Sequence, residues 1–106
     1  MANMIVSGAG STVVNGTYAE NGTYDGRPYY EYDNCSIMWN FNQWEIRYGT
    51  ALYYFSRSNV STPDLCTNWA PVYGVSDPPT PTVTKEEEQP TGIPKQFLHY
   101  ARMRGN

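Results

Sequence analysis

The stretch Cys35-Ser36-Ile37-Met38-Trp39-Asn40-Phe41-Asn42-Gln43-Trp44-Glu45-Ile46-Arg47-Tyr48 decides the fold. Side chains alternate across a strand, so Cys35, Ile37 and Trp39 share one face, and Trp44, Ile46 and Tyr48 share a face of the run that follows. Asn40-Phe41-Asn42-Gln43 makes the reversal between them. Two adjacent period-two runs predict a β-hairpin.

The pattern continues on both sides. Residues 3–7 read as a first strand, stopped by Gly8 and Gly10. Asn15-Gly16 and Asn21-Gly22 are turn dipeptides bracketing a short strand around Tyr18, and Asp25-Gly26 is a third turn. Pro28 leads into Tyr29-Tyr30-Glu31-Tyr32, where a residue without an N–H belongs at a strand start or an edge. Leu52–Ser56 is another strand, and Trp69–Tyr73 reads as a last one. Short strands joined by tight turns predict an all-β fold, a small antiparallel meander or barrel-like sheet, over residues 1–75.

A chain of 106 residues is one domain at most. It has 10 Tyr, 3 Trp and 3 Phe, while Leu and Ile are scarce, so the core relies on a few large rings. Trp39, Trp44 and Ile46 are read as core. Tyrosine keeps a polar hydroxyl and can sit half-exposed. Tyr29, Tyr30, Tyr53 and Tyr54 are therefore a candidate surface patch, with alternation forcing one member of each pair outward. Such rings suit a protein interface or stacking on sugar faces.

The net charge of −3 is unevenly distributed. Residues 1–75 and residues 76–89 are each acidic, while residues 90–106 hold Lys95, Arg102 and Arg104 with no acid. Residues 76–89, with Pro78, Pro79 and Pro81 followed by Glu86, Glu87 and Glu88, read as an extended, polyproline-like acidic spacer. Residues 90–106 read as a basic amphipathic docking tail. Pro94 suits a first helical turn, and Arg102, Arg104 and Gly105 suit a helix end, so the tail carries the pattern of a short terminal helix. Phe97, Leu98 and Ala101 would enter a groove, and Lys95, Arg102 and Arg104 would meet its acidic rim.

Several functional classes are disfavoured by the residues present. An acidic chain with pI near 4.9 is a poor nucleic-acid binder, because that affinity comes from neutralising phosphates. No run approaches membrane-spanning length, and Met1-Ala2-Asn3-Met4 enters the first strand without a secretory signal. The Asn-x-Ser/Thr sequons at Asn15, Asn21, Asn34 and Asn59 are read as turn chemistry. Cys35 and Cys66 lack metal-type spacing; Cys35 alternates with Ile37 and Trp39 and reads as a small buried hydrophobe. His99 is the only histidine and has no evident nucleophile partner. Glu31 and Asp33, two apart, would share a face as an acid pair, but read better as solvated charges on an edge strand. Gly8-Ala9-Gly10 has no following Lys-Ser/Thr and reads as a turn needing positive φ. No catalytic, metal or cofactor residues are expected.

Val6-x-Gly8-Ala9-Gly10, Val14-Asn15-Gly16-x-Tyr18, Gly26-Arg27-Pro28-x-Tyr30, Ile37-x-Trp39, Trp44-x-Ile46, Tyr53-Tyr54, Thr62-Pro63-Asp64 and Trp69 occur in that order. Over residues 4–83 this pattern resembles a small β-module found, often in tandem, in phage and bacterial structural proteins and in some multidomain eukaryotic proteins. The resemblance implies a β-rich accessory unit without catalytic residues. A single copy carrying a docking tail is similar to a minor virion protein of a tailed phage, in head decoration, neck or tail attachment. The expectation is thus a non-enzymatic part of a larger assembly, located in the virion, whose partners are other structural proteins or further copies of itself. The alternative is a carbohydrate-binding module acting through exposed tyrosines.

Overall fold

The computed structural model describes residues 2–86. It contains eight strands: β1 (Met4–Ser7), β2 (Gly16–Tyr24), β3 (Arg27–Tyr32), β4 (Cys35–Asn40), β5 (Gln43–Tyr48), β6 (Ala51–Ser56), β7 (Ala70–Pro71) and β8 (Thr82–Lys85). They form one antiparallel sheet in the order β7-β6-β5-β4-β3-β2-β1-β8. The first seven strands are a meander, and β8 returns to pair with β1. The sheet curls into a half-barrel, bringing β8 against the 3-10 turn Pro63–Leu65.

The central hairpin follows the alternation. Ile37 faces Ile46 and Trp39 faces Trp44 across the ladder, and all four are buried. The two indoles meet edge to face at 5.8 Å, a geometry worth about 1 kcal/mol beyond burial. Phe41 and Asn42 close the turn at φ 53° and 60°, the positive values that a two-residue type I′ connection requires. Holding a phenylalanine in the left-handed region costs about 1–2 kcal/mol. The tryptophan pair directly behind the turn offsets that cost. Asp25 and Gly26, at φ 53° and 81°, make the same kind of turn between β2 and β3.

The inner face collects Met4, Val6, Tyr18, Tyr30, Cys35, Ile37, Trp39, Trp44, Ile46, Tyr54 and Val83 into one core. Two of its tyrosine hydroxyls, those of Tyr18 and Tyr54, are hydrogen-bonded to backbone. Tyr18 donates to Val14 O at 2.6 Å; Tyr54 donates to Asp77 O at 2.6 Å and accepts from Ser11 N–H at 3.0 Å. The Trp44 indole N–H donates to Val60 O at 2.9 Å. Arg27 reaches the same carbonyl and Asn59 Oδ1 while its guanidinium lies 3.7 Å over the Trp39 ring. Arg27 thereby pins the 57–62 loop across the barrel end by stacking and hydrogen bonding together, a combination lysine cannot supply.

Four sequence readings are corrected. Asn21-Gly22 is not a turn: β2 runs unbroken from Gly16 to Tyr24, and the pair forms a bulge between Glu20 and Thr23. Gly22, at φ 87°, supplies the positive φ that either feature would use. Glu31 and Asp33 are not a strand pair on an edge. β3 is an interior strand, and Asp33 lies beyond it in the turn at φ 55°. Gly10 does not need positive φ. Gly8 does, at 76°, whereas a side chain on Gly10 would strike the backbone of Pro78.

The fourth correction concerns the stretch read as a spacer. Residues 82–85 are β8, with Ser7 opposite Thr82 and Met4 opposite Lys85. Val83 is buried in the core. The 76–81 segment that leads there is tied down by the Tyr54 hydroxyl, by Ser11 Oγ accepting from Asp77 N–H at 2.8 Å, and by Gly10 N–H donating to Pro79 O at 2.9 Å. Its Pro78-Pro79 peptide is cis. The docking tail, residues 90–106, lies outside the described residues.

Candidate functional site

The sheet is open along one seam. Its edge strands β7 and β8 approach each other without pairing, and a groove runs between them, lined by Asp64, Cys66, Trp69, Ala70, Thr82 and Thr84 among others. Local sequence explains the gap. Pro71 removes a donor from β7, which is only two residues long. Pro63 starts the 3-10 turn that holds Asp64 under β8.

Two buried side-chain polar atoms among the described residues have no hydrogen-bond partner: Asp64 Oδ1 and the Trp69 indole nitrogen. Both residues line this groove. An unmatched buried polar atom costs about 1–3 kcal/mol. The seam therefore holds one acceptor and one donor whose bonds the fold leaves unmade. Neither was singled out for this from the sequence, where Asp64 reads as part of a motif and Trp69 as part of that motif and the start of a last strand. Thr82-Val83-Thr84 carried the one available signal, a short β-branched alternation hidden between prolines and charges.

Burial in and beside the seam favours the neutral forms of Cys66 and Tyr30. Burial pushes the Cys66 thiol up to about 11, with the Asp64 charge adding to the shift and a hydrogen bond with Ser56 opposing it. Burial also pushes the Tyr30 hydroxyl up to about 12, assisted by the charges of Glu20 and Asp64. Both groups are protonated in the fold, so the unfolded chain loses their protons first as pH rises. The stability they confer is complete below their ordinary pKa values and is lost as pH climbs toward the folded ones. Thermal melting points are expected to fall steadily between about pH 9 and pH 12. A melting point that stays flat across that range would contradict the assignment of these groups as neutral and buried.

The candidate aromatic patch does not assemble as four rings. Tyr30 and Tyr54 are 1% and 0% exposed and belong to the core. Tyr29 and Tyr53 are half-buried. Tyr29 donates its hydroxyl to Glu31 Oε2 at 2.8 Å, and Tyr53 packs edge to face on Tyr48 at 6.0 Å. Among the described residues the rings most open to solvent are others, Tyr73 and Phe41, at 101% and 79%.

Glu31 accepts from Asn21 and Tyr29, and these bonds hold its carboxyl below the ordinary range; that is the environment of a stable anion. Among the described residues Glu45 is the one fully buried acidic residue; it lies on the outer face of β5 and is satisfied there. Arg47 pairs with it at 2.7 Å, and Gln43 and Asn40 donate to it at 2.8 and 3.5 Å. Cys35 and Cys66 are both free thiols; Cys35 is buried, and its Sγ donates to Val13 O at 3.4 Å.

Among the described residues no group of His, Cys, Asp and Glu has the arrangement of a metal site, and no helix is long and apolar enough to cross a membrane. Lys95, Phe97, Leu98, Ala101, Arg102 and Arg104 lie outside the described residues, as does His99. Comparison with protein-family models, with curated proteins and with solved structures finds no match.

Proposed function

We propose that this chain is a non-enzymatic structural or accessory part of a larger assembly. Its place is in a tailed-phage particle, as a head-decoration, neck or tail-attachment protein anchored through residues 90–106. The single observation that carries the reading is how the chain leaves the folded module. β8 is an edge strand paired to β1, and Glu86 N–H still donates to Asn3 O at 2.8 Å. The tail thus departs from a fixed point on the sheet edge, which is the arrangement of an anchor on a rigid mount. The polar chemistry of the interior supports the same view. The buried hydroxyls of Tyr18 and Tyr54 and the Trp44 indole are all engaged with backbone carbonyls, so they hold the platform together.

Deleting residues 90–106 is expected to abolish incorporation into the particle while leaving the thermal melt of the module unchanged. Quantifying the protein in purified particles against its melt in isolation checks both halves. Normal incorporation of the shortened chain would end this reading.

A further inference from the structure

We infer that Asn21 is a site of spontaneous modification, where the backbone nitrogen of Gly22 closes a ring on the Asn21 side chain and the amide becomes a carboxylate. Asn15, set in the same local sequence, is closed to that reaction by the fold.

The tetrapeptide Asn-Gly-Thr-Tyr occurs twice, at residues 15–18 and 21–24. Asn-Gly is the pair that favours this chemistry, because glycine has no Cβ to hinder the approach of its nitrogen. The net step is a hydrolysis. The Gly22 nitrogen gives its proton to a solvent base and bonds to Asn21 Cγ; the Cγ–Nδ2 bond breaks, and the amino group leaves as ammonia with a proton from water. Water then opens the ring at either of its carbonyls. The product is aspartate, or the isomer whose main chain runs through the side-chain carboxyl. No oxidant, reductant or enzyme takes part.

Ring closure requires the side-chain amide to turn toward the next residue and the backbone there to yield. At residues 15–16 both are held. Asn15 Oδ1 accepts from Ala9 N–H at 3.0 Å, and its Nδ2 donates to Ala9 O at 3.3 Å. Asn15 N–H closes the 3-10 turn on Thr12 O, and Gly16 is a ladder partner of Val6. The Tyr32 ring lies so close over Gly16 that an added methyl would meet it at 2.5 Å. Reaction at Asn15 must wait for this corner to open.

At residues 21–22 the same four residues sit in the opposite setting. Asn21 and Gly22 are exposed, and the bulge takes both out of the register between β2 and β3, which passes from Glu20 to Thr23. Nothing lies within 4 Å of where a Gly22 side chain would be. Among the described residues the Asn21 amide bonds only to the exposed Glu31, and a bond between two solvated groups is readily exchanged for water. The product bears on that contact. A carboxylate at position 21 would face the Glu31 carboxylate across the strands, a like-charge pair where a hydrogen bond had been. The tip of β2, Thr23 and Tyr24, would loosen.

The test is ageing of the full chain at mildly alkaline pH, folded in buffer and unfolded in urea, with peptide mass spectrometry. Cleavage after Glu20 and Glu31 separates the two sites, and residues 21–31 hold no other side-chain amide. Each conversion raises the mass by one unit. The nearby Asp25-Gly26 can close the same ring, but it loses water and regains it, so the mass is unchanged. Urea sets the ratio of the two rates for the bare sequence. Folding should raise the ratio of Asn21 to Asn15 conversion at least about tenfold. Asn21→Gln, which would need a larger ring, should remove the mass gain from residues 21–31. Asn21→Asp, which carries one product, should quicken amide exchange at Thr23 and Tyr24 about threefold or more with the module still folded. A ratio unchanged by folding would overturn the inference. So would a folded chain in which residues 21–31 gain no mass over a period that converts them in urea. Unaltered exchange in Asn21→Asp would overturn the effect on the β2 tip.

Discussion

Replacing Gly10 with alanine is expected to destabilise the protein by about 3 kcal/mol, the upper end of overpacking costs. For a domain of this size that lowers the melting point by roughly 15 °C. Gly10 is a residue whose backbone angle any amino acid tolerates, so the loss is steric. A methyl group there would sit 2.6 Å from the Pro78 carbonyl carbon and 2.7 Å from Asp77 O. Both are backbone atoms, and neither can turn aside as a side chain would. The 77–79 segment would have to lift away from the loop after β1. Lifting it strains the Gly10–Pro79 hydrogen bond and the two bonds that join Tyr54 to Asp77 and Ser11. Gly8→Ala, where the added methyl meets nothing within 4 Å, should cost less, and only through its φ of 76°. Differential scanning calorimetry of the two variants separates crowding from backbone strain. A Gly10→Ala melt within about 3 °C of the parent would show that residues 77–79 are not seated on this glycine.

The sequence was most legible where structure is local. The 35–48 hairpin follows from alternation and from a four-residue reversal, and the observed pairing of Asn40 with Gln43 places the turn there. Strand existence was also visible for 4–7, 27–32 and 51–56, because each is an aromatic or β-branched run beside turn residues. Where the same chemistry serves two purposes, the reading failed. Asn21-Gly22 suits a turn and a bulge equally, and the long pairing of β2 with β3 selects the bulge. Alternation showed that one of Tyr29 and Tyr30, and one of Tyr53 and Tyr54, must turn inward, but only the curl of the sheet decides which.

Residues 76–86 were misread for a different reason. Prolines and glutamates describe a spacer by composition, while β8 exists because Thr82–Lys85 meet Ser7–Met4. That pairing joins the two ends of the module, and no local window contains both. The seam was invisible for the same cause. Asp64 and Trp69 are near neighbours in sequence, but Thr84 lies well beyond both, and bringing it to them requires the closed turn of the half-barrel. Glu45 is a smaller instance. Its place in the alternation marks it as outward, yet Arg47, Gln43 and Asn40 enclose it until it is 1% exposed.

The folded module runs through Glu86, with β8 as a working part of the sheet. A chain ending at residue 75 would lose β8 and uncover the edge of β1, where Met4 and Val6 are buried. It would also lose the Asp77 carbonyl that the Tyr54 hydroxyl meets and the Ser76 hydroxyl that bonds to Tyr53 O. Burial of Val83 alone is worth about 2 kcal/mol, and each buried hydrogen-bonding group left unpaired costs about 1–3 kcal/mol more. The sum approaches the 5–15 kcal/mol that stabilises a typical domain. The most direct measurement is therefore the thermal unfolding of two shortened chains, one ending at residue 75 and one at residue 86, beside the full protein. The chain ending at 86 should melt with the full protein, and the chain ending at 75 should be unfolded or melt at least about 20 °C lower. Equal melting of all three would show that β8 does not contribute to the stability of the module.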